Sequence, residues 1–99
     1  MSGISQPLGI GVGQTWQNVT SSRALGSIYT NSSGRVITAC INTYGLGQSQ
    51  YSIDGVVIGI DGENGGYNQF VTLIIPAGST YKAEVTSGVQ LLGNWFELR

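Results

Sequence analysis

The segment Tyr51-Ser-Ile-Asp54-Gly55-Val-Val-Ile-Gly-Ile60 decides the fold class, because two β-rich runs flank an Asp-Gly pair. Asp-Gly favours a two-residue type I′ turn, in which both central residues take a positive φ. This turn predicts a hairpin that pairs Ile53 with Val56. One step further from the turn, it pairs Tyr51 with Ile58. The alternation then predicts a core face that carries Tyr51, Ile53, Val56, Ile58 and Ile60, with Ser52, Val57 and Gly59 on the opposite face.

The rest of the chain shows the same period-two alternation, and no stretch has the spacing of an amphipathic helix. Pro76-Ala-Gly78 predicts a turn between strands at 70–75 and 79–86. Further strands are expected at 15–20, 26–30, 35–43 and 91–99. About seven or eight short strands predict an all-β fold, a small antiparallel β-sandwich. We expect residues 14–99 to form this single domain and residues 1–13 to be a flexible Gly-rich leader or a junction to a preceding segment.

The composition excludes several classes of function. The 99 residues include four basic and five acidic side chains and no histidine. So few basic groups cannot neutralise a run of phosphates, which argues against nucleic-acid binding. The absence of histidine removes the commonest general base and metal ligand. We therefore expect no enzymatic activity, no metal and no cofactor, and a small core without a disulfide favours oligomerisation as the source of extra stability.

Two arrangements of acidic residues bear on this expectation. A carboxylate pair for glycoside cleavage could be drawn from Asp54, Asp61 and Glu63, although the turn already explains Asp54. The segment Asp61-Gly-Glu-Asn64 offers three oxygen side chains, but it lacks the spacing of an EF-hand, which favours a solvated loop over a calcium site. Glycoside hydrolysis remains only as an alternative.

Two segments rich in glycine and amides, 44–50 and 61–68, join predicted strands without a regular pattern. Amide groups bind neutral sugars through hydrogen bonds, and an exposed tyrosine ring beside them offers a stacking surface. The alternative is that each ring folds back over its own loop. The candidate receptor-binding residues are Tyr44, Gln48, Gln50, Asp61, Glu63, Asn64, Tyr67 and Asn68.

Several blocks of the chain resemble the C-terminal domain of bacteriophage and prophage tail fibre proteins. The most specific are Gly11-Val-Gly-Gln-Thr-Trp-Gln-Asn-Val-Thr-Ser-Ser-Arg-Ala-Leu-Gly26, leading to Tyr29-Thr-Asn-Ser-Ser-Gly34, and the closing Trp95-Phe-Glu-Leu-Arg99. Ile53-Asp-Gly-Val-Val57 and Ile75-Pro-Ala-Gly-Ser-Thr-Tyr81 also fit, but they would suit many sandwiches.

The resemblance implies a trimeric tip that follows an upstream fibre shaft in the virion and touches the host surface. Its partner would be a host glycan, such as lipopolysaccharide or capsule, or an outer-membrane protein. It transfers no set of binding residues, because the similar blocks look like scaffold and the segments 44–50 and 61–68 lie between them. The alternative is a structural module that trimerises and caps the fibre without reading the receptor. A remote alternative, which the resemblance also implies, is a polysaccharide depolymerase.

The second face of two predicted strands is partly apolar, and this bears on assembly. Val36 and Cys40 oppose the core face of one strand, and Phe70 and Ile74 oppose that of another. A sandwich that stands alone would place charged or larger polar groups there. We therefore predict a homotrimer, three copies being chosen from the resemblance, with these four residues at the subunit interface. The alternative is that one of these strands is covered on both sides within a single subunit.

Overall fold

The structure is a computed structural model that describes residues 9–61 and 68–99. The described residues form eight strands and one short 3₁₀-helix, Thr20–Ser22. The strands are β1 (Trp16–Asn18), β2 (Ile28–Thr30), β3 (Ile37–Tyr44), β4 (Gly47–Ile53), β5 (Val56–Asp61), β6 (Gln69–Ile75), β7 (Thr80–Gly88) and β8 (Leu91–Leu98). The expected strand at 15–20 is therefore too long, since its last residue begins the 3₁₀-helix instead.

The strands form two four-stranded antiparallel sheets, which confirms the predicted all-β sandwich. Sheet A has the order β1-β8-β3-β6, and sheet B has the order β2-β7-β4-β5. The first strand pairs with the eighth, the second with the seventh, the third with the sixth and the fourth with the fifth. This nested pairing is that of a jelly roll, a double-sheet fold of eight strands.

The core lies between the inner faces of the two sheets and follows the predicted alternation. Ile37, Ala39 and Ile41 of β3 are fully buried, as their shared parity predicts. Trp95 of β8 and Tyr81 of β7 pack against each other with ring centroids 6.4 Å apart. The other buried apolar side chains are Tyr51, Leu73, Ile75 and Ala83.

The β4–β5 hairpin confirms the predicted turn but corrects part of the predicted register. Asp54 and Gly55 have φ values of 52° and 80°, as a type I′ turn requires, and Ile53 pairs with Val56. The predicted pairing of Tyr51 with Ile58 is wrong, because a β-bulge shifts the register and pairs Tyr51 with Gly59.

The bulge also changes which side chains of β5 reach the core. Gly59 lies against Tyr51 and Val71, so the inward position at this level carries no side chain. Val56, Ile58 and Ile60 were expected on the core face, yet all three are exposed. Their exposure follows from the bulge and from the position of β5 at the open edge of sheet B.

A buried carboxylate, Glu97, organises the polar part of the core. It accepts hydrogen bonds from Arg23 (3.0 and 3.1 Å), Arg99 (2.7 Å), the Tyr81 hydroxyl (2.8 Å) and the Trp95 indole (3.1 Å). Burial alone would raise the pKa of Glu97, but the hydrogen bonds from Arg23 and Tyr81 hold this pKa below its ordinary value. Arg23 also lies over the Tyr29 ring, 4.6 Å from its centroid. Arg23 is thereby joined to the last strand, 74 positions later in the chain.

Candidate binding surface at one end of the sandwich

Several strand connections meet at one end of the sandwich, here called the upper end. Tyr44 pairs with Leu91, and Gly47 pairs with Gly88, so the β3–β4 and β7–β8 turns lie side by side. Asp61 pairs with Ser49 and Gln69 with Thr43, so the strand ends on either side of residues 62–67 also lie at this end.

The two described turns of the upper end are locked together by their backbones. The amide of Val89 donates to the carbonyl of Leu46 at 3.0 Å. The buried side chain of Gln90 donates from Nε2 to the carbonyls of Gly45 and Gly47, both at 2.9 Å. A Cβ atom on Gly45 would lie 2.5 Å from the carbonyl oxygen of Val89, so only glycine allows this approach. These contacts hold the two turns in one fixed arrangement.

The turns present an uncharged and largely apolar surface, the upper-end patch, formed by Tyr44, Leu46, Val89 and Leu91. The side chains of Leu46 and Val89 are 68% and 63% exposed. Exposed apolar side chains held by a rigid backbone bind partners at a low cost in conformational entropy. The geometry therefore offers a preformed contact surface rather than a cleft.

The candidate receptor-binding residues lie in different parts of the structure. Tyr44 and Asn68 are exposed at the upper end. The prediction that 44–50 is irregular is wrong, because β4 begins at Gly47 and pairs with β7 through backbone hydrogen bonds. Gln48 is exposed on this strand, whereas Gln50 points to the outer face of sheet B and donates to Glu84 at 2.7 Å. The backbone of Asp61 ends β5; Glu63, Asn64 and Tyr67 lie outside the described residues.

Sequence reasoning missed Leu46, Val89 and Leu91. Their weak signal was an apolar residue set between glycines or next to one, as in Gly45-Leu46-Gly47 and Gly88-Val89. This pattern indicates a tight turn with an outward side chain, but it does not show that two such turns meet. The pairing of β4 with β7 supplies that information.

The four predicted interface residues belong to the outer side of sheet A. Phe70 and Ile74 are 75% and 56% exposed, and they alternate with inward residues of β6. Cys40 is half-buried, and its Sγ lies 3.7 Å from the Thr72 hydroxyl. Val36 precedes β3 with the same parity and is also half-buried. Together with Trp16 and Phe96, Cys40 lines a shallow apolar hollow of about 250 Å³.

The acidic residues weighed for catalysis are far apart or engaged in other contacts. Asp54 and Asp61 flank β5 at opposite ends, about 20 Å apart at the usual rise per residue, beyond the roughly 5–9.5 Å of glycosidase carboxylate pairs. Asp54 accepts hydrogen bonds from the Ser79 hydroxyl and the Thr80 amide, and these bonds lower its pKa. Within residues 9–61 and 68–99, no cluster of three potential metal ligands and no helix long and apolar enough to cross a membrane is present.

Comparisons with protein-family models, curated proteins and solved structures find no significant match to this chain.

Proposed function

We propose that the protein is a non-enzymatic receptor-binding domain that ends a bacteriophage tail fibre as a homotrimer and contacts the host surface. The partner class is a neutral part of a surface glycan, in lipopolysaccharide or capsule, or an outer-membrane protein. The proposal begins from the sequence resemblance, and one structural observation carries it further. That observation is the meeting of the two described turns at the upper end, where they form a rigid, exposed and uncharged patch.

The direction of the chain supports the same proposal. Thr15 and Arg99 exchange backbone hydrogen bonds of 3.2 and 3.1 Å at the end of the sandwich opposite the upper-end patch. A shaft that precedes residue 9 would therefore approach from the far end. The upper-end patch would then face away from the shaft, as a receptor-reading surface must.

The chemistry of the patch favours recognition without catalysis. Apolar side chains beside amides such as Gln48 can cover the apolar face of a sugar ring while neighbouring polar groups hydrogen-bond its hydroxyls. The described carboxylates are engaged elsewhere: Glu97 in the core, Glu84 with Gln50 and Lys82, and Asp54 in its turn.

Binding to immobilised bacterial lipopolysaccharide and capsule preparations tests the proposal. The unmodified chain should bind at least one preparation, and Leu46→Ser combined with Val89→Ser should weaken that binding at least tenfold. The matched control is Ile60→Ser, another exposed apolar side chain but on the outer face of sheet B. Equal binding by the double variant and the control would contradict the role of the upper end. Release of new reducing ends from any preparation would contradict the non-enzymatic assignment.

A second candidate function is a module that trimerises and caps the fibre while another segment reads the receptor. The apolar outer side of sheet A favours it, since such a surface fits packing between subunits. Adsorption of whole fibres to host cells separates the two candidates. Unchanged adsorption by intact fibres that carry the Leu46→Ser, Val89→Ser pair would favour the capping module.

A further inference from the structure

The outer face of sheet A is a four-stranded surface without a charged side chain among its outward residues. Outward positions of β3, β6 and β8 carry Cys40, Thr72 and Phe96 on one level of the sheet, and Asn42 and Phe70 on the next level toward the upper end. Trp16, Phe70 and Ile74 are each more than half exposed on this face, and the largest exposed apolar surface of a protein is often a functional contact surface. An exposed, neutral surface of this kind fits a second protein surface of the same character, and a further copy of this chain supplies one.

The strand register orders this face into rows that run across the sheet. Trp16 pairs with Leu98, Leu98 pairs with Thr38, and Thr38 pairs with Ile74. One row therefore begins with an exposed tryptophan at the β1 edge and ends with an exposed isoleucine at the β6 edge. The hollow lined by Trp16, Cys40 and Phe96 lies beside the tryptophan end of the same row.

We propose that copies of the chain turn their sheet A faces toward a common rotation axis, and that Ile74 of one copy packs into the hollow beside Trp16 of the next. The parallel orientation of the copies rests on the proposed function, in which every copy joins a shaft at the same end. When the copies are related by rotation about an axis parallel to the strands, each residue lies at the same position along that axis in every copy. The two edges of one row therefore meet between neighbours, and this head-to-tail contact closes into a ring.

Paired cysteines test this contact because the row is too wide for a bond within one copy. Trp16 and Ile74 are separated by two intervening strands, about 14 Å, whereas a disulfide needs Cα atoms within about 7 Å. In a Cys40→Ser background, Trp16→Cys with Ile74→Cys should give covalent dimers and trimers on a non-reducing gel after mild oxidation. The matched control pairs Trp16→Cys with Phe70→Cys, whose positions differ in height by about 13 Å along the strands. It should give at least fivefold less cross-linked product.

Light scattering supplies a second measurement that does not depend on the tryptophan being replaced. Ile74→Lys should weaken self-association at least tenfold, and Ile60→Lys on the outer face of sheet B should leave it unchanged. Oligomers that cross-link equally through both cysteine pairs, or through neither, would overturn the row contact while leaving the proposed function standing. A mass near 10.4 kDa for the unmodified chain at micromolar concentration would overturn the contact and the trimer, and glycan binding would then be judged separately.

Discussion

Replacing Glu97 by Gln, which exchanges one carboxylate oxygen for an NH₂ group, is expected to destabilise the domain strongly. The carboxylate is fully buried and accepts five hydrogen bonds from Arg23, Arg99, Tyr81 and Trp95. A glutamine in its place offers one acceptor atom and turns an NH₂ group toward donors. The guanidinium of Arg23, whose side chain is only 13% exposed, would lose its counter-charge.

The magnitude follows from the cost of leaving one member of a buried ion pair alone, about 3–5 kcal/mol. Arg99 is more exposed than Arg23 and can turn toward water, so we expect the lower end of that range, about 3 kcal/mol. Domains of about 100 residues have unfolding free energies of roughly 5–15 kcal/mol. At about 4–8 °C per kcal/mol for a domain of this size, the melting temperature should fall by about 12–24 °C.

Urea and thermal unfolding, followed by circular dichroism at a fixed protein concentration, provide the assay. Glu84→Gln is the matched control, because Glu84 is a partly exposed carboxylate that bonds Gln50 and lies 3.3 Å from Lys82. Surface pairs contribute about 0–1 kcal/mol, so the control should lose little stability. A Glu97→Gln variant within 1 kcal/mol of this control would refute the view that the buried carboxylate holds the core together.

Three further predictions concern pH, a close backbone approach and a turn. The pKa of Tyr81 is raised to about 12, first by burial and second by its hydrogen bond to Glu97. The folded state therefore holds this proton more tightly than the unfolded state, and the free energy of unfolding should fall by about 2–3 kcal/mol as the pH rises from 10 to 12. The pKa of Glu97 is lowered in the folded state, so the stability that its charge provides above about pH 4.5 should be lost as the pH falls through its folded-state pKa. Urea unfolding at a series of pH values checks both predictions, and a stability that does not change with pH contradicts them. Gly88→Ala should cost more than Gly55→Ala in unfolding free energy, because both glycines have positive φ but only at Gly88 would the new Cβ overlap the backbone of Leu46; equal losses would contradict the close approach. Asp54→Ala should lower the melting temperature more than Asp54→Asn, because asparagine tolerates the positive φ and keeps an acceptor for Ser79; the reverse order would contradict this account of the turn.

Side-chain alternation predicts burial well where a strand is regular and central. Ile37, Ala39 and Ile41 lie in the core because β3 pairs without a bulge along these residues. The same rule fails on β5, where a one-residue bulge turns Ile58 and Ile60 outward. Gly59 is the local signal of this bulge, since a glycine inside a strand often marks one. Its place in the register depends on Tyr51 and Val71 of other strands, which the local sequence does not show.

The upper end shows a second limit of sequence reasoning. The amides and glycines of 44–50 resemble a loop because they lack apolar alternation, yet β4 is held there by backbone pairing with β7, which needs no particular side chain. Tyr44 could be assigned to this end from its place after a strand. The contact between Leu46 and Val89 could not be predicted, because the two residues lie 43 positions apart in the chain and meet only through strand pairing.

The nested pairing of the strands sets the order in which this chain can reach its native state. Only the β4–β5 hairpin joins neighbours in sequence, and each further pair encloses the one before, out to β1 with β8. Forming each outer pair requires a longer loop to close, and the entropy lost in that closure is not offset until the strands pair. We therefore expect folding to be slow for a domain of this length. Because β8 occupies a central place in sheet A and carries Trp95 and Glu97, the core stays open until β8 has joined that sheet. Until then β3 has only β6 as a partner in sheet A, and its other edge can pair with another strand. The addition of β8 would then compete with mispairing at this edge, which makes the joining of β8 the step that completes the core.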